Sequence, residues 1–258
     1  MIEVRNLSFS SGTRQVLKNV SFCAKNGQVL SVLGPNAVGK STLFRCILHL
    51  AQPNGGEILI DGKSTANMST KELARRIAFI PQSHNPVFNY SVFDMALMGA
   101  TAQLGTFASP GKEQNEAVEQ ALERLGIFHL KDRGYLQLSG GERQLTLIAR
   151  ALVQNAKILV MDEPSSSLDY GNRLRVMQTV RTLASEGYCI IQSTHEPDQA
   201  YLYSDQILAL YDGQVLAHGA PKDIFDAELI SKLYGVEVEV CNIHNDAARV
   251  CIPKGVFL

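Results

Sequence analysis

Hydrophobic and polar positions divide the chain into short strands and amphipathic helices. Two early runs that alternate apolar and polar residues, Ile2–Phe9 and Val16–Cys23, predict antiparallel strands because turn-forming residues separate them. Runs that are apolar at nearly every position predict parallel strands that are covered on both faces. These runs are Val29–Leu33, Ile77–Ile80, Ile158–Met161, Cys189–Gln192 and Ile207–Leu210. The pattern therefore predicts an α/β fold with a parallel core sheet and an antiparallel β subdomain.

Helical periodicity dominates the middle of the chain, between Gln82 and about Asn155. The helices predicted there are Val92–Met98, Glu113–Leu125 and Glu142–Val153, with a loop rich in Gly, Ser and Pro from Gly99 to Gly111. Outside this region we predict helices over Ser41–Leu50, Leu174–Ala184 and Asp198–Tyr203, and a closing hairpin around Asn245–Asp246. The chain is therefore expected to form a core from residues 1–82 and 156–258, interrupted by a helical lobe at residues 83–155.

Composition and charge narrow the class of protein. The 258 residues carry 24 Lys and Arg against 25 Asp and Glu, a net charge of −1, which argues against a nucleic-acid partner. The sequence lacks the roughly 18 consecutive apolar residues of a membrane-spanning helix, and its first residues read as a strand and not as a signal peptide. The five cysteines are scattered and never spaced as CxxC, so they are expected to be small buried hydrophobic residues. These features predict a soluble, cytoplasmic α/β protein.

A glycine-rich loop follows the apolar run Val29–Leu33. Its sequence GPNAVGKS matches G-x-x-x-x-G-K-[ST], with a strand before it and a helix after it. In such loops backbone N–H groups and a helix N-terminus converge on phosphate oxygens. Lys40 would reach the β- and γ-phosphates, Ser41 would bind Mg²⁺ and Thr42 would touch the α-phosphate; the alternative is a chance glycine-rich turn. The predicted ATP-binding residues of the loop are Gly34, Pro35, Asn36, Ala37, Val38, Gly39, Lys40, Ser41 and Thr42.

Two acidic residues end the apolar run Ile158–Met161. A carboxylate at this point lies at the carboxyl edge of a parallel sheet, where ligands bind. Asp162 could hold the water shell of a metal ion, and Glu163 could polarise an attacking water as general base. The alternative is a capping pair at a strand end before Pro164. The neighbouring glycine-rich loop favours the functional interpretation.

A second candidate anion site lies at LSGGE, residues 138–142. Ser139 and Glu142 have the spacing of a capping box, which predicts a helix start, and two glycines allow the backbone to approach a ligand closely. One phosphate-binding loop does not need a second such site, unless the site serves a phosphate bound elsewhere. The alternative is an ordinary helix cap.

The order of the motifs GPNAVGKS, LSGGE, ILVMDEP, SSLD and STH resembles that of ABC-transporter ATPase subunits, over nearly the whole chain. The resemblance implies a P-loop NTPase core of the RecA type that binds ATP and Mg²⁺. It also implies a head-to-tail homodimer, in which Ser139, Gly140 and Gly141 bind the γ-phosphate of ATP held by the other subunit. Asp169 would organise the dimer interface.

The same resemblance assigns roles to two further residues. Gln82 would touch Mg²⁺ and the attacking water, and His195 would bind the γ-phosphate and orient Glu163. On residue type alone, Gln82 could be a surface turn residue and His195 an ordinary polar residue at a strand end. Two positions depart from the family pattern. Ser11, with Phe9 nearby, stands where an adenine-stacking aromatic is usual, and Ala37 replaces a common glycine, which is tolerable if its φ is negative.

Residues 79–100 are similar to the corresponding region of importers of iron chelates, haem, vitamin B12 and, in some branches, molybdate. Tyr90, Val92, Leu97, Met98 and Gly99 carry this likeness, whereas Ala100 replaces a usual arginine; the alternative is that they are ordinary core positions. The likeness implies separate polytopic permease subunits and an extracytoplasmic binding protein, with this chain peripheral on the cytoplasmic face of the inner membrane. A non-transport ABC ATPase and an importer subunit for another substrate class remain alternatives. A P-loop kinase would leave LSGGE unexplained, and an exporter half would carry a fused spanning segment.

Overall fold

A computed structural model describes residues 1–82, 84, 86–104 and 108–255. Its strands are β1 Ile2–Ser11, β2 Arg14–Ala24, β3 Val29–Leu33, β4 Gly55–Ile60, β5 Lys63–Ser64, β6 Ile77–Ile80, β7 Ile158–Met161, β8 Cys189–Thr194, β9 Gln206–Tyr211, β10 Gln214–Gly219, β11 Val238–Ile243 and β12 Ala248–Pro253. Its helices are α1 Lys40–Ile47, α2 Thr70–Ala74, α3 Val92–Leu97, α4 Lys112–Arg124, α5 Gly140–Val153, α6 Tyr170–Ser185, α7 Pro197–Tyr203, α8 Pro221–Ile224 and α9 Ala227–Tyr234. Short 3₁₀ turns cover Met98–Ala102, Phe128–Leu130 and Tyr135–Gln137.

The strands form three sheets. The central six-stranded sheet has the order β10-β9-β3-β8-β7-β6 and is parallel except for the β10–β9 pair. A four-stranded antiparallel sheet has the order β2-β1-β4-β5, and β11 and β12 form a separate hairpin. Because β3, β7 and β8 are parallel neighbours, the loops that follow them leave the sheet at the same edge. The predicted α/β class, with a P-loop core, an antiparallel β unit and helical segments, is confirmed.

Alternate residues of the central strands enter different cores. Leu159 and Ile190 pack into a cluster with α3, α4, α5 and α6, whereas Val160 and Ile191 pack into a cluster with α1 and the antiparallel sheet. A third cluster joins Leu33 and the β9 strand to α7, α8 and α9. The parallel strands are therefore buried on both faces, which is why they are apolar at nearly every position.

Several details differ from the sequence-based expectations. Helix α6 begins four residues before the predicted Leu174, because Asp169 caps it by accepting the Asn172 N–H. The predicted loop Gly99–Gly111 opens with a 3₁₀ turn, and its residues 105–107 lie outside the described residues, as do Ser83 and Asn85 of the predicted helical lobe. Helices α2, α8 and α9 were not predicted.

The cysteines are less uniformly buried than expected. Cys46 and Cys189 are buried, and burial raises the pKa of their thiols to about 11 and about 12. Cys23, Cys241 and Cys251 are only partly buried, so the expectation of five buried residues is wrong for these three. None of the helices in the described ranges combines the length and apolar character of a membrane span.

Candidate active site

The glycine-rich loop connects β3 to α1 at the carboxyl edge of the central sheet. A Cβ atom on Gly34 would lie 2.4 Å from the carbonyl oxygen of Leu210, so the loop leaves the sheet where only glycine fits. Gly39 has φ +114° and precedes α1, whose N-terminus has no side-chain cap and no acidic residue in its first turn. The N–H groups at the start of α1 are therefore available to an anion.

The loop conformation corrects one sequence-based expectation. Ala37 has φ +63°, not the negative value that was expected to make alanine tolerable at this position. Left-handed backbone brings Cβ close to the following carbonyl oxygen, at a cost of roughly 1–2 kcal/mol for a residue other than glycine. Ala37 therefore holds a strained turn within the phosphate-binding loop.

Lys40, the charged residue of the loop, is buried, with 5% of its surface exposed. Its Nζ donates to the carbonyl oxygens of Gly34 at 2.7 Å and Pro35 at 3.0 Å, and lies 3.7 Å from Glu163 Oε1. Burial lowers the pKa of the Lys40 amine, and the carboxylates of Glu163 and Asp162 partly offset that effect. The amine is therefore anchored within the curve of the loop.

A buried hydroxyl links the two acidic residues that follow β7. Ser193 Oγ donates to Asp162 Oδ1 at 2.6 Å and accepts the backbone N–H of Glu163 at 2.9 Å. Ser193 is fully buried at the end of β8, the strand beside β7. The sequence analysis did not single out Ser193, although its position in the STH motif offered a signal. Ser193 fixes the orientation of the Asp162 carboxylate relative to Glu163.

Two of the predicted catalytic side chains, Gln82 and His195, lie close to the third, Glu163. Gln82 Nε2 donates to Glu163 Oε2 at 3.2 Å and to Ser166 Oγ at 3.0 Å. His195 Nδ1 lies 3.1 Å from Glu163 Oε1, yet within the described residues it makes no hydrogen bond. Glu163 itself has φ +45°, a strained backbone of the kind found at functional sites.

The residues predicted to hold Mg²⁺ line a single cleft of about 350 Å³. Ser41, Gln82 and Asp162 bring a hydroxyl, an amide and a carboxylate to its wall, and oxygen ligands of these types suit Mg²⁺. The walls also include Asn36, Ala37, Gly39, Lys40 and Thr42 of the loop, together with Glu163. The donor set therefore fits a nucleotide phosphate chain with its magnesium ion.

The LSGGE residues do not line this cleft, although Gly140 lines a second pocket together with Gln82 and Glu163. Among the described residues, neither Ser139, Gly140 and Gly141 nor Asp169 contributes to the lining of the cleft. The predicted capping box is confirmed: Ser139 Oγ accepts the Glu142 N–H, and Glu142 Oε2 accepts the Ser139 N–H at 2.8 Å. The bond from the Ser139 backbone holds the pKa of Glu142 below its usual value. Asp169 caps α6 instead, and hydrogen bonds from Asn172 lower the pKa of its carboxyl.

The two glycines of LSGGE permit close packing within the chain itself. A Cβ on Gly141 would lie 2.4 Å from Asn172 Oδ1 and 2.8 Å from Asn172 Cβ. A Cβ on Gly140 would lie 3.0 Å from Leu168 Cδ2. The start of α5 is therefore pressed against the start of α6, a contact that the sequence analysis did not foresee.

The cleft contains no aromatic side chain among its described lining residues. Ser11 is exposed at the end of β1, and Phe9 packs against the core formed with the antiparallel sheet. Val16 of β2 lines the cleft instead, and the sequence analysis missed it. Its place in an alternating strand pattern gave no sign that this side chain lines the cleft.

Comparisons with known proteins agree with this geometry. The ABC transporter family matches residues 17–166. An uncharacterised ABC transporter ATP-binding protein of Haemophilus influenzae is 39% identical over 244 residues, 95% of this chain and 93% of the relative. The ferric enterobactin transport ATP-binding protein FepC of Escherichia coli is 32% identical over 250 residues, 96% of this chain and 92% of the relative.

Solved structures show the same likeness. A chain of an ABC transporter described as of the metal-chelate type, in an inward-facing conformation, superposes with a TM-score of 0.86 and 30% identity. The superposition covers 98% of this chain and 96% of that chain. The family match, the near-complete coverage of the relatives and the arrangement of the cleft together show that this chain belongs to the ABC transporter family, as one of its ATP-hydrolysing subunits.

Proposed function

We propose that this chain hydrolyses ATP to energise the import of a metal chelate through separate permease subunits. The observation that carries the proposal is that Lys40, Gln82 and Glu163 line one cleft beside the glycine-rich loop, with His195 3.1 Å from Glu163. Such a group combines phosphate binding with a carboxylate that can accept a proton, which is what ATP hydrolysis requires.

The phosphate chain of ATP is held by the loop. The backbone N–H groups of residues 36–42, which include the N-terminus of α1, bind the phosphate oxygens. Lys40 moves its amine from the loop carbonyls to the β- and γ-phosphates. Ser41, Asp162 and Gln82 would hold the magnesium ion, which would supply neutralisation of the charge on the phosphates.

Glu163 acts on the attacking water. Its carboxylate accepts a proton from the water, while Gln82 donates to one carboxylate oxygen and the His195 imidazole lies beside the other. The Ser193 hydroxyl bonds to both the backbone of Glu163 and the side chain of Asp162, and so fixes their relative position. The water oxygen attacks the γ-phosphorus, and ADP leaves from the opposite side.

A second copy of the chain completes the site. Ser139, Gly140 and Gly141 lie at the N-terminus of α5 and do not line the cleft of their own chain. An anion site of this kind suits the γ-phosphate of ATP held by a partner. Asp169, at the start of α6, lies in contact with this region through Asn172 and stabilises the interface. The two-fold arrangement makes each ATP a part of the dimer contact.

We propose the same division into subdomains as the sequence predicts, with a nucleotide-binding core at 1–82 and 156–258 and a helical subdomain at 83–155. Large apolar side chains are exposed in the helical subdomain, Val87 by 90% and Phe88 by 67%, and after α1, Leu50 by 62%. Exposed apolar groups of this size mark interaction sites. We infer that they contact the permease, which places the chain at the cytoplasmic face of the inner membrane.

The cargo class follows from the relatives. FepC is a ferric enterobactin transport protein, and the superposed structure comes from a metal-chelate type transporter. The cargo of this chain is accordingly a metal chelate of the iron-siderophore, haem, cobalamin or molybdate type, delivered by an extracytoplasmic binding protein. The geometry of the ATP cleft favours none of these over another, since cargo does not enter it.

The catalytic assignment is tested by Glu163→Gln. The amide keeps the size of the side chain but cannot accept the proton, so we expect hydrolysis to fall by about 10²–10⁴-fold with ATP binding retained. Glu123→Gln, on the exposed face of α4, is the matched control and should hydrolyse ATP as the wild type does. Wild-type turnover in Glu163→Gln would exclude Glu163 as the general base.

The transport assignment is tested by co-purification from detergent-solubilised membranes of the native cell. We expect a polytopic subunit to be recovered with the wild-type chain and lost with Phe88→Asp, while both variants hydrolyse ATP in isolation. Ile243→Asp, at an exposed apolar position of the β11–β12 hairpin, is the control and should retain the subunit. A chain found without any membrane subunit would instead indicate a non-transport ABC ATPase.

A further inference from the structure

The C-terminal helix and hairpin pack against the helix that follows His195. Tyr201 on α7 donates its hydroxyl to the carbonyl oxygen of Asp246 at 2.8 Å, and the Cys251 N–H donates to Asp198 Oδ1 at 3.0 Å. Side chains of α9 and β11 share one apolar cluster with α7. The segment that ends the described chain is therefore attached directly to α7, the helix that begins two residues after His195.

One contact from this segment reaches His195 itself. Tyr234, the last residue of α9, donates its hydroxyl to the carbonyl oxygen of His195 at 3.0 Å. The ring of Tyr234 is partly buried against the cluster that contains α7 and α9, so its position is fixed by packing. The carbonyl belongs to the same residue whose imidazole lies 3.1 Å from Glu163.

We propose that Tyr234 is a positioning residue for the ATPase reaction, which acts by holding the backbone of His195 so that its imidazole faces Glu163. The proposal rests on the role of His195 given under the proposed function. The hydrogen bond from the Tyr234 hydroxyl to the His195 carbonyl oxygen ties this peptide group to a ring that is itself held by packing.

Three features of the structure support this role. The imidazole Nδ1 makes no hydrogen bond of its own within the described residues, so the ring depends on its backbone for orientation. The neighbouring residues are also held by side chains: Glu196 pairs with Arg173 at 2.7 Å, and the Thr194 hydroxyl donates to Gln199 at 3.1 Å. Burial raises the pKa of the Tyr234 hydroxyl, which keeps it protonated and able to donate.

The test compares the ATPase activity of two variants, in each of which one tyrosine loses its hydroxyl. Tyr234→Phe removes the bond to His195, whereas Tyr201→Phe removes the bond to Asp246 in the same C-terminal unit. We expect kcat for ATP to fall about threefold to tenfold in Tyr234→Phe, with KM for ATP within twofold of the wild type. Tyr201→Phe should keep the wild-type kcat, since its bond does not reach the cleft.

A spectroscopic measurement separates positioning from general loosening. The imidazole Cε1–H resonance of His195 is assigned by its absence in His195→Ala and followed in both phenylalanine variants. We expect this resonance to shift in Tyr234→Phe and to remain in place in Tyr201→Phe. A resonance that stays in place in Tyr234→Phe, or an equal loss of kcat in the two variants, would overturn the proposal.

His195→Ala separates the proposed role of His195 from the proposed role of Tyr234. Wild-type turnover in His195→Ala would remove the role of His195 from the proposed function, and with it the catalytic effect of Tyr234. Reduced turnover in His195→Ala together with wild-type kcat in Tyr234→Phe would leave the role of His195 intact and reject the positioning role of Tyr234.

Discussion

Two residues of the cleft, Ala37 and Glu163, have positive φ angles that residues with side chains rarely adopt. Their neighbours explain how these angles persist. Ala37 lies in a loop whose two ends are fixed by Gly34 against Leu210 and by the start of α1, and Glu163 is held by its N–H bond to Ser193. Strain of this kind is maintained where the surrounding structure determines the backbone.

Ala37 offers a direct test of the strain in the loop. Ala37→Gly relieves roughly 1–2 kcal/mol of left-handed strain but makes the unfolded chain more flexible, at a cost of about 0.4–1 kcal/mol, so we expect the free energy of unfolding to rise by up to about 1.5 kcal/mol. Nucleotide binding should be unchanged, because backbone N–H groups make the phosphate contacts. Ala117→Gly, within α4, is the control and should lower the free energy of unfolding by about 1 kcal/mol. Chemical denaturation measures both, and destabilisation by Ala37→Gly would contradict the positive φ.

At the scale of elements, the decisive contact is between the starts of α5 and α6. Helix α5 begins with the Ser139–Glu142 capping box and α6 with the Asp169 cap, and Gly141 fits against Asn172 between them. The two helices therefore set the position of the LSGGE backbone through one tight interface. A substitution at this interface should therefore lower the free energy of unfolding even when no ligand is bound.

Gly141→Ala and Gly140→Ala are expected to differ in effect. The added Cβ of Gly141→Ala meets an Asn172 side chain that Asp169 holds by hydrogen bonds, so α5 and α6 must separate, at a cost of about 1–3 kcal/mol in the free energy of unfolding. The Cβ of Gly140→Ala meets only the flexible end of Leu168, and the cost should be smaller. Equal effects of the two substitutions in denaturation would contradict this packing.

The capping box predicts a pH-dependent contribution to stability. Because the pKa of Glu142 is lowered in the folded state, its contribution is present at neutral pH and is lost as pH falls through that lowered pKa. We expect Glu142→Ala to lower the free energy of unfolding by about 0.3–1.5 kcal/mol at pH 7. Glu142→Gln keeps an acceptor oxygen and should lose less. The difference between wild type and Glu142→Ala should shrink in acid, and a constant difference down to pH 3 would argue against the box.

At the scale of the whole molecule, the cleft and the LSGGE helix start are separate features of one chain. In the proposed dimer, a second copy brings its LSGGE residues to the γ-phosphate while each chain keeps this fold. With a two-fold interface, each copy would supply both a cleft and a helix start. The molecule is therefore expected to alternate between one copy and two as ATP is bound and hydrolysed.

We expect Glu163→Gln to form dimers when ATP and Mg²⁺ are added, since ATP persists in the cleft. Ser139→Arg, added to that variant, should keep it monomeric because the bulky side chain blocks the helix start, with nucleotide binding retained. Ser185→Arg is the control: it lies at the other end of α6, about 24 Å from Asp169, and should dimerise normally. Light scattering during size-exclusion chromatography reports the mass, and a dimer of the Ser139→Arg variant would exclude the shared site.

The sequence by itself determined the strands of the core and the order of the chemical groups. Val29–Leu33, Ile77–Ile80 and Ile158–Met161 were predicted with the bounds that the structure has, because each is a continuous apolar run ended by Gly, Pro or Asp. The capping box at Ser139 could also be predicted, because it joins two residues that are three positions apart in the sequence. The helix α2 could also have been found, since Ser69 and Glu72 form the same box.

Only the tertiary structure decided how distant segments cooperate. Ser193 joins Asp162 to Glu163 across two strands, Val16 reaches the cleft from the antiparallel sheet, and Tyr234 bonds to His195 from the last helix. The left-handed φ of Ala37 likewise depends on the fixed ends of its loop. Hydrophobic periodicity and turn residues are properties of neighbours along the chain, whereas these contacts depend on packing between segments that the periodicity does not relate.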